Sequence, residues 1–180
     1  NANSVVFATS GAGKSYTIKL EVLRSLMMGS DVIIIDPENE YKHLSEAVGG
    51  TYINISLASE NKINPFDLPR SVFGESKAED IIRSGVITVK GLVRLMLGDL
   101  THEEDSIVDR ALLETYAKKD ITPDCDLAKV EAPIMQDLED ILEGLEGGAG
   151  LALRLKKYTQ GTFAGLFNGP TNVKMDNQLV

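Results

Sequence analysis

Lys14 and Ser15 end the run Ala8-Thr-Ser-Gly-Ala-Gly-Lys-Ser15, and side by side they bring two kinds of chemistry to one point. An ammonium suits the β- and γ-phosphates of a nucleotide, and a neighbouring hydroxyl suits a magnesium ion. Gly11 and Gly13 can take backbone angles forbidden to other residues, so consecutive N–H groups turn inward to hold phosphate oxygens. The run fits a phosphate-binding loop with alanine at the first glycine position. The candidate nucleotide-binding residues are Ser10, Gly11, Ala12, Gly13, Lys14, Ser15 and Tyr16, with Ser15 also the candidate metal ligand. ATP and Mg2+ are the implied cofactors. A glycine-rich turn that merely contains a lysine is the bland alternative, and a strand before with a helix after is the context that separates the two.

Cleaving a nucleotide needs more than holding it: a magnesium-binding acid, a group that positions water, and often an arginine from a neighbour. Val32-Ile-Ile-Ile-Asp36 resembles a Walker B strand, yet only one helix separates it from Lys14. The candidate catalytic residues are therefore Lys14, Asp36 and Glu38. Asp36, Glu38 or Glu40 could act on the site through water. The opposing reading is a polar turn after a strand with solvated acids, and the sequence leaves both open. Arg110 and Arg154 are candidates for an arginine finger only by their place in the helical part, where surface salt bridging is the competing role.

Several elements would position these groups. Ser4 to Thr9, Asp31 to Asp36 and Thr51 to Leu57 are short apolar, β-branched runs that read as buried parallel strands. Between the first two, apolar residues from Ile18 to Met27 recur at helical spacing, and Gly29 follows as a stop. Such a β-α-β opening predicts a right-handed crossover and a parallel sheet. Beyond Asn64-Pro65-Phe66-Asp67 and a polar stretch to Glu75, the pattern turns helical over 77–97, 103–119, 133–145 and 151–160. Thr101 and Glu104 have the spacing of a capping box.

Composition excludes other classes. The chain of 180 residues carries 18 Lys plus Arg against 27 Asp plus Glu, a formal charge of −9, so its overall field repels nucleic acid and anionic lipid. Arg154, Lys156 and Lys157 form the only compact basic group and read as a solvated face. One cysteine, Cys125, and two histidines, His43 and His102, exclude a disulfide framework and are too few soft ligands for a structural zinc site. Neither a signal peptide nor a membrane-spanning run is apparent, and a soluble, cytoplasmic protein is expected. The first strand lies close to Asn1 and a new apolar run opens at Leu179-Val180, so both ends read as cuts within a longer protein.

Thr9 to Ser15, then Val32-Ile-Ile-Ile-Asp-Pro-Glu-Asn-Glu-Tyr41, then Ile63-Asn-Pro-Phe-Asp67 and finally Gly161-Thr-Phe-Ala-Gly-Leu-Phe-Asn168 resemble, in that order, the conjugative-transfer ATPases of type IV secretion systems, the VirB-four and TraC-like group. The resemblance runs over the whole chain. It implies an α/β fold, a RecA-like P-loop NTPase parallel sheet with an all-helical insertion subdomain. The sheet portion would occupy 1–74, the insertion 75–160, and 161–180 would return toward the sheet, ending before the family's Walker B strand and glutamine motif. It also implies ATP hydrolysis that powers pilus assembly or DNA or protein export at the cytoplasmic face of the inner membrane. A homo-oligomer, often a hexamer, and other secretion components as partners follow from the same likeness. With no later Walker B matched, the fragment is expected to bind nucleotide weakly and turn it over poorly.

Three other readings compete. A DNA-translocating ATPase of the HerA and FtsK type shares the same features and would contact duplex DNA, against the acidic balance. A small P-loop kinase would make Asp36 functional but needs an arginine-rich lid that does not follow here. An interaction module would use its helices, residues 75–145, to dock on secretion components.

Overall fold

The computed structural model describes residues 3–58, 60–68, 77–127 and 129–173. The polar stretch to Glu75, apart from its first residue, Leu68, and the apolar run at Leu179-Val180 lie outside them. The described residues form seven helices: α1 (Lys14–Met27), α2 (Lys42–Ala47), α3 (Ala78–Leu97), α4 (His102–Ala117), α5 (Met135–Gly144), α6 (Ala149–Thr159) and α7 (Ala164–Phe167). The chain divides into two compact units, with Asn54 and Ile55 on either side of the boundary.

Among the described residues the expected RecA-like parallel sheet is not there. Among the described residues the three apolar runs form no strand ladder, and Val32 alone makes an isolated bridge. Phe7 is 92% exposed, Ile33 80% and Ile35 93%, so these side chains are in solvent, while Val32 and Ile34 are half-buried. An apolar, β-branched run marks a segment that would gain from cover on both faces. A sheet forms only where neighbouring strands supply hydrogen bonds and helices supply that cover, and neither is encoded in the run itself.

In the first unit, α1 leaves a glycine turn and closes on another. Gly29, at φ 80°, follows its last turn, and the N–H of Ser30 donates to the carbonyl of Ser25 at 3.1 Å, a Schellman closure. α2 ends in the same way at Gly49, with Gly50 donating to Ser45.

The second unit is a helix bundle. α3 packs on α4, α4 on α5, α5 on α6, and α6 returns to α3, with α7 against α6. These helices fall where the periodicity placed them, because the pairs Val89 and Val93, Val108 and Leu112, Leu138 and Leu142, and Leu151 and Leu155 each recur at four-residue spacing and all are buried. Three of the starts have a local cause. Glu79 and Asp80 lie in the first turn of α3, where the helix dipole favours acids. Thr101 and Glu104 form the expected capping box, with Glu104 N–H donating to Thr101 Oγ1 and Thr101 N–H to Glu104 Oε2. At α5 the Asp137 carboxylate accepts the Ile134 N–H at 2.9 Å.

Arg154 closes the α3–α4 corner from α6. Its guanidinium donates to the carbonyls of Leu97 and Asp99 at 3.1 and 3.2 Å and to Glu104 at 2.7 Å, so it satisfies carbonyls at the end of α3. Arg110 pairs along its own helix with Glu114 at 2.7 Å. Both arginines considered as fingers thus have partners inside their own unit.

The ends of the second unit are fastened to each other. Lys62 N–H donates to Asn172 Oδ1 and Asn64 N–H to Thr171 Oγ1, each at 2.7 Å, and Ile63 N–H to the Leu166 carbonyl at 2.9 Å. Asn64 is buried, donates to the Pro133 carbonyl and accepts the Phe66 N–H. Phe66 is fully buried, edge-on to Tyr116 at 5.6 Å, and the Tyr116 hydroxyl donates to its carbonyl. Burial pushes the Tyr116 phenol well up, which keeps it a neutral donor.

Candidate functional site

The glycine turn before α1 has the backbone that the sequence requires of it. Gly11 and Gly13 stand at φ 78° and 86°, the left-handed region that side chains disfavour, and Ala12 N–H closes the turn on the Thr9 carbonyl at 3.1 Å. Nothing lies within 4 Å of where a Cβ would stand on either glycine. Gly13 is also the N-cap of α1, which has no side-chain cap and no acid in its first turn. The first-turn N–H groups of Lys14, Ser15 and Tyr16 therefore meet no competing side-chain cap, and the positive end of the helix dipole opens beside the turn. Thr17 strengthens this start, its N–H and hydroxyl both reaching the Gly13 carbonyl at 3.0 and 3.1 Å. Lys14 and Tyr16 are exposed.

The acidic segment after Val32-Ile-Ile-Ile is drawn to α1. The Ser15 hydroxyl donates to Glu40 Oε2 at 2.6 Å, and one helical turn later Lys19 holds its ammonium 5.3 Å from the Tyr41 ring centre. Burial, then the Glu40 and Asp36 carboxylates, push the Tyr41 phenol up. Asp36 is turned toward its own loop, where Oδ2 accepts the Tyr41 N–H at 2.8 Å. Asn39 stands at φ 57°, which asparagine tolerates better than most residues, and its Oδ1 accepts the Tyr52 hydroxyl at 3.0 Å. Glu38 is exposed at the tip of the same loop.

Of the residues picked from the sequence, Ser10 to Tyr16 thus lie on one turn and helix start. Asp36 buttresses the loop beside it. The sequence reading named Glu40 only as an acid acting through water, and it missed the direct bond to Ser15. The signal was present in the alternation of acids in Asp36-Pro-Glu-Asn-Glu40, where a proline and an asparagine set a tight reversal between two carboxylates.

The residue set fits a magnesium nucleotide. Two open glycines and an uncapped helix start leave room for phosphate oxygens against backbone N–H groups, with Lys14 beside them. Among the described residues no three His, Cys, Asp or Glu side chains cluster as a ready cage for a metal. Magnesium commonly binds through one or two protein oxygens together with substrate phosphates, and Ser15 with Glu40 suits that mode.

A family model described as helicase HerA, central domain, matches residues 3–146. The chain belongs to the HerA/VirB4 family of P-loop ATPases. The solved structure of VirB4 of Thermoanaerobacter pseudethanolicus is similar at 34% identity and a TM-score of 0.80, over 96% of this chain and 46% of that one. The chain thus spans about half the length of that HerA/VirB4 relative. No curated protein matches it. No helix among the described residues is long and apolar enough to cross a membrane.

Proposed function

We propose that the chain is the ATP-binding part of a type IV secretion motor, a VirB4-like ATPase that drives pilus assembly or export of DNA or protein. The observation that carries this reading is the turn at Gly11 and Gly13 running into an uncapped α1 that begins with Lys14 and Ser15. In it, the backbone N–H groups from Ser10 to Tyr16 bind the phosphates and Lys14 neutralises their charge. Ser15 meets Mg2+, which when bound would draw charge from the transferring phosphate. Asp36 and Glu38 remain the candidate acids, Asp36 through the loop it holds.

The working protein in this proposal is a homo-oligomer, a hexamer, at the cytoplasmic face of the inner membrane, in contact with other secretion components. The experiment is calorimetric titration of the chain with Mg-ATP beside a phosphate-release assay. Lys14→Ala should weaken binding roughly tenfold to a hundredfold, the worth of a charged hydrogen bond, without lowering stability. Asp36→Asn should cost less, since an amide oxygen can still accept the Tyr41 N–H. Unchanged affinity in Lys14→Ala would sink the assignment.

The match to the HerA central domain favours a second reading, a motor that translocates duplex DNA. It requires DNA binding that falls steeply with salt, despite the net charge of −9.

A further inference from the structure

We propose that Glu40 is the carboxylate that makes the nucleotide site dependent on magnesium, acting with Ser15 as a single unit. The proposal rests on the nucleotide site proposed above. Among the acids of the Asp36 to Glu40 segment, Glu40 is the one bonded to a phosphate-loop side chain, Ser15 Oγ at 2.6 Å. Asp36 is engaged with the Tyr41 N–H, and that bond fixes the backbone next to Glu40. One further tie holds the loop against α1, Lys19 over the Tyr41 ring, while Tyr52, bonded to Asn39, braces the loop from the run beyond α2.

The chemistry follows from charge. A carboxylate beside the Ser15 hydroxyl repels a bare triphosphate and attracts a divalent cation. The same carboxylate orients the hydroxyl, whose hydrogen points at Glu40 and whose lone pairs remain free to face a cation. Outer groups that orient a ligand in this way typically change metal affinity by a factor of ten or more when removed. Glu40 is thus a positioning residue for Ser15, and its charge sets the preference for Mg-ATP over metal-free ATP.

The test is calorimetric binding of ATP to the chain, once with excess Mg2+ and once with EDTA, for wild type, Glu40→Gln, Ser15→Ala and the double variant. Glu40→Gln should reduce the ratio of the two affinities roughly tenfold, through weaker Mg-ATP binding together with equal or stronger metal-free binding. The double variant should lose no more of the ratio than the larger single loss, because the two residues act as one unit. Circular dichroism of each variant checks the fold, which an exposed glutamate should not support. Wild-type ATP binding with an unchanged ratio in Glu40→Gln, or losses in the singles that add in the double, overturns this inference alone. A wild-type chain blind to ATP in both buffers overturns the nucleotide site and the inference with it.

Discussion

The same substitution, glycine to alanine, should have opposite effects at Gly13 and Gly91, and the contrast tests whether the phosphate turn depends on its backbone. Gly91 lies inside α3 on an exposed face, and nothing stands within 4 Å of an added Cβ. Alanine there should stabilise the chain by about 0.5–1 kcal/mol, the difference between the two residues in a helix interior. Gly13 is equally open, so no clash opposes alanine, but its φ of 86° is in the left-handed region. Holding an L-residue there costs about 1–2 kcal/mol. The chain can accept that loss, or relax out of the conformation and give up the arrangement of N–H groups proposed to hold phosphate. Gly13→Ala should therefore lower either urea stability or ATP affinity, while Gly91→Ala lowers neither. A Gly13→Ala protein that matches wild type in both would refute the view that this turn is a conformational cradle.

Three further outcomes are expected. Leu112 is fully buried where α4 meets the bundle core, and Leu112→Ala should cost about 2–5 kcal/mol in denaturant unfolding of the bundle unit. Thr101→Ala removes one half of the α4 capping box and should cost about 1 kcal/mol in the same assay. The Glu104 carboxyl is held below its ordinary range, first by the Thr101 N–H and further by Arg154, against the opposing effect of burial. Because the folded value is the lower one, its stabilisation is present above the ordinary glutamate range and is lost as pH falls through the folded value. The stability gap between wild type and Glu104→Gln should therefore shrink on acidification from neutral pH, and a gap that widens would contradict the hydrogen-bond assignment.

The helices were legible in the sequence because a helix satisfies its own backbone. The spacing of Val89, Val93, Val108 and Leu112, the Thr101 to Glu104 pair and the glycine after α1 are local signals with local causes. The three apolar runs misled for the complementary reason. A strand is completed by residues far away in the chain, and Phe7, Ile33 and Ile35 carry no mark of whether those partners arrive. The phosphate turn stood out because its glycines and lysine are contiguous. The Ser15 to Glu40 bond spans 25 positions and depends on how the Asp36 loop folds back, which a scan for short motifs does not see. Arg154 was legible in part: the expected salt bridging is made with Glu104, but its other partners, Leu97 and Asp99, are backbone carbonyls, and carbonyls leave no trace in residue type.

The Asn64-Pro-Phe-Asp67 segment and the segment ending at Asn168 were distinctive in sequence without an evident chemical purpose, and their contacts give them one. Asn64 ties its own turn to Pro133 and to Thr171, and Asn168 accepts the Gln136 N–H at the start of α5 while donating to the Thr159 carbonyl at the end of α6. An asparagine suits both positions because it donates and accepts at once, whereas aspartate would leave the Pro133 and Thr159 carbonyls without donors. Each such loss in a buried place costs about 1–3 kcal/mol, comparable to deleting a core methylene or two. Those motifs therefore serve the bundle. They fasten the first and last segments of the second unit to each other, so that the chain leaves it close to where it entered.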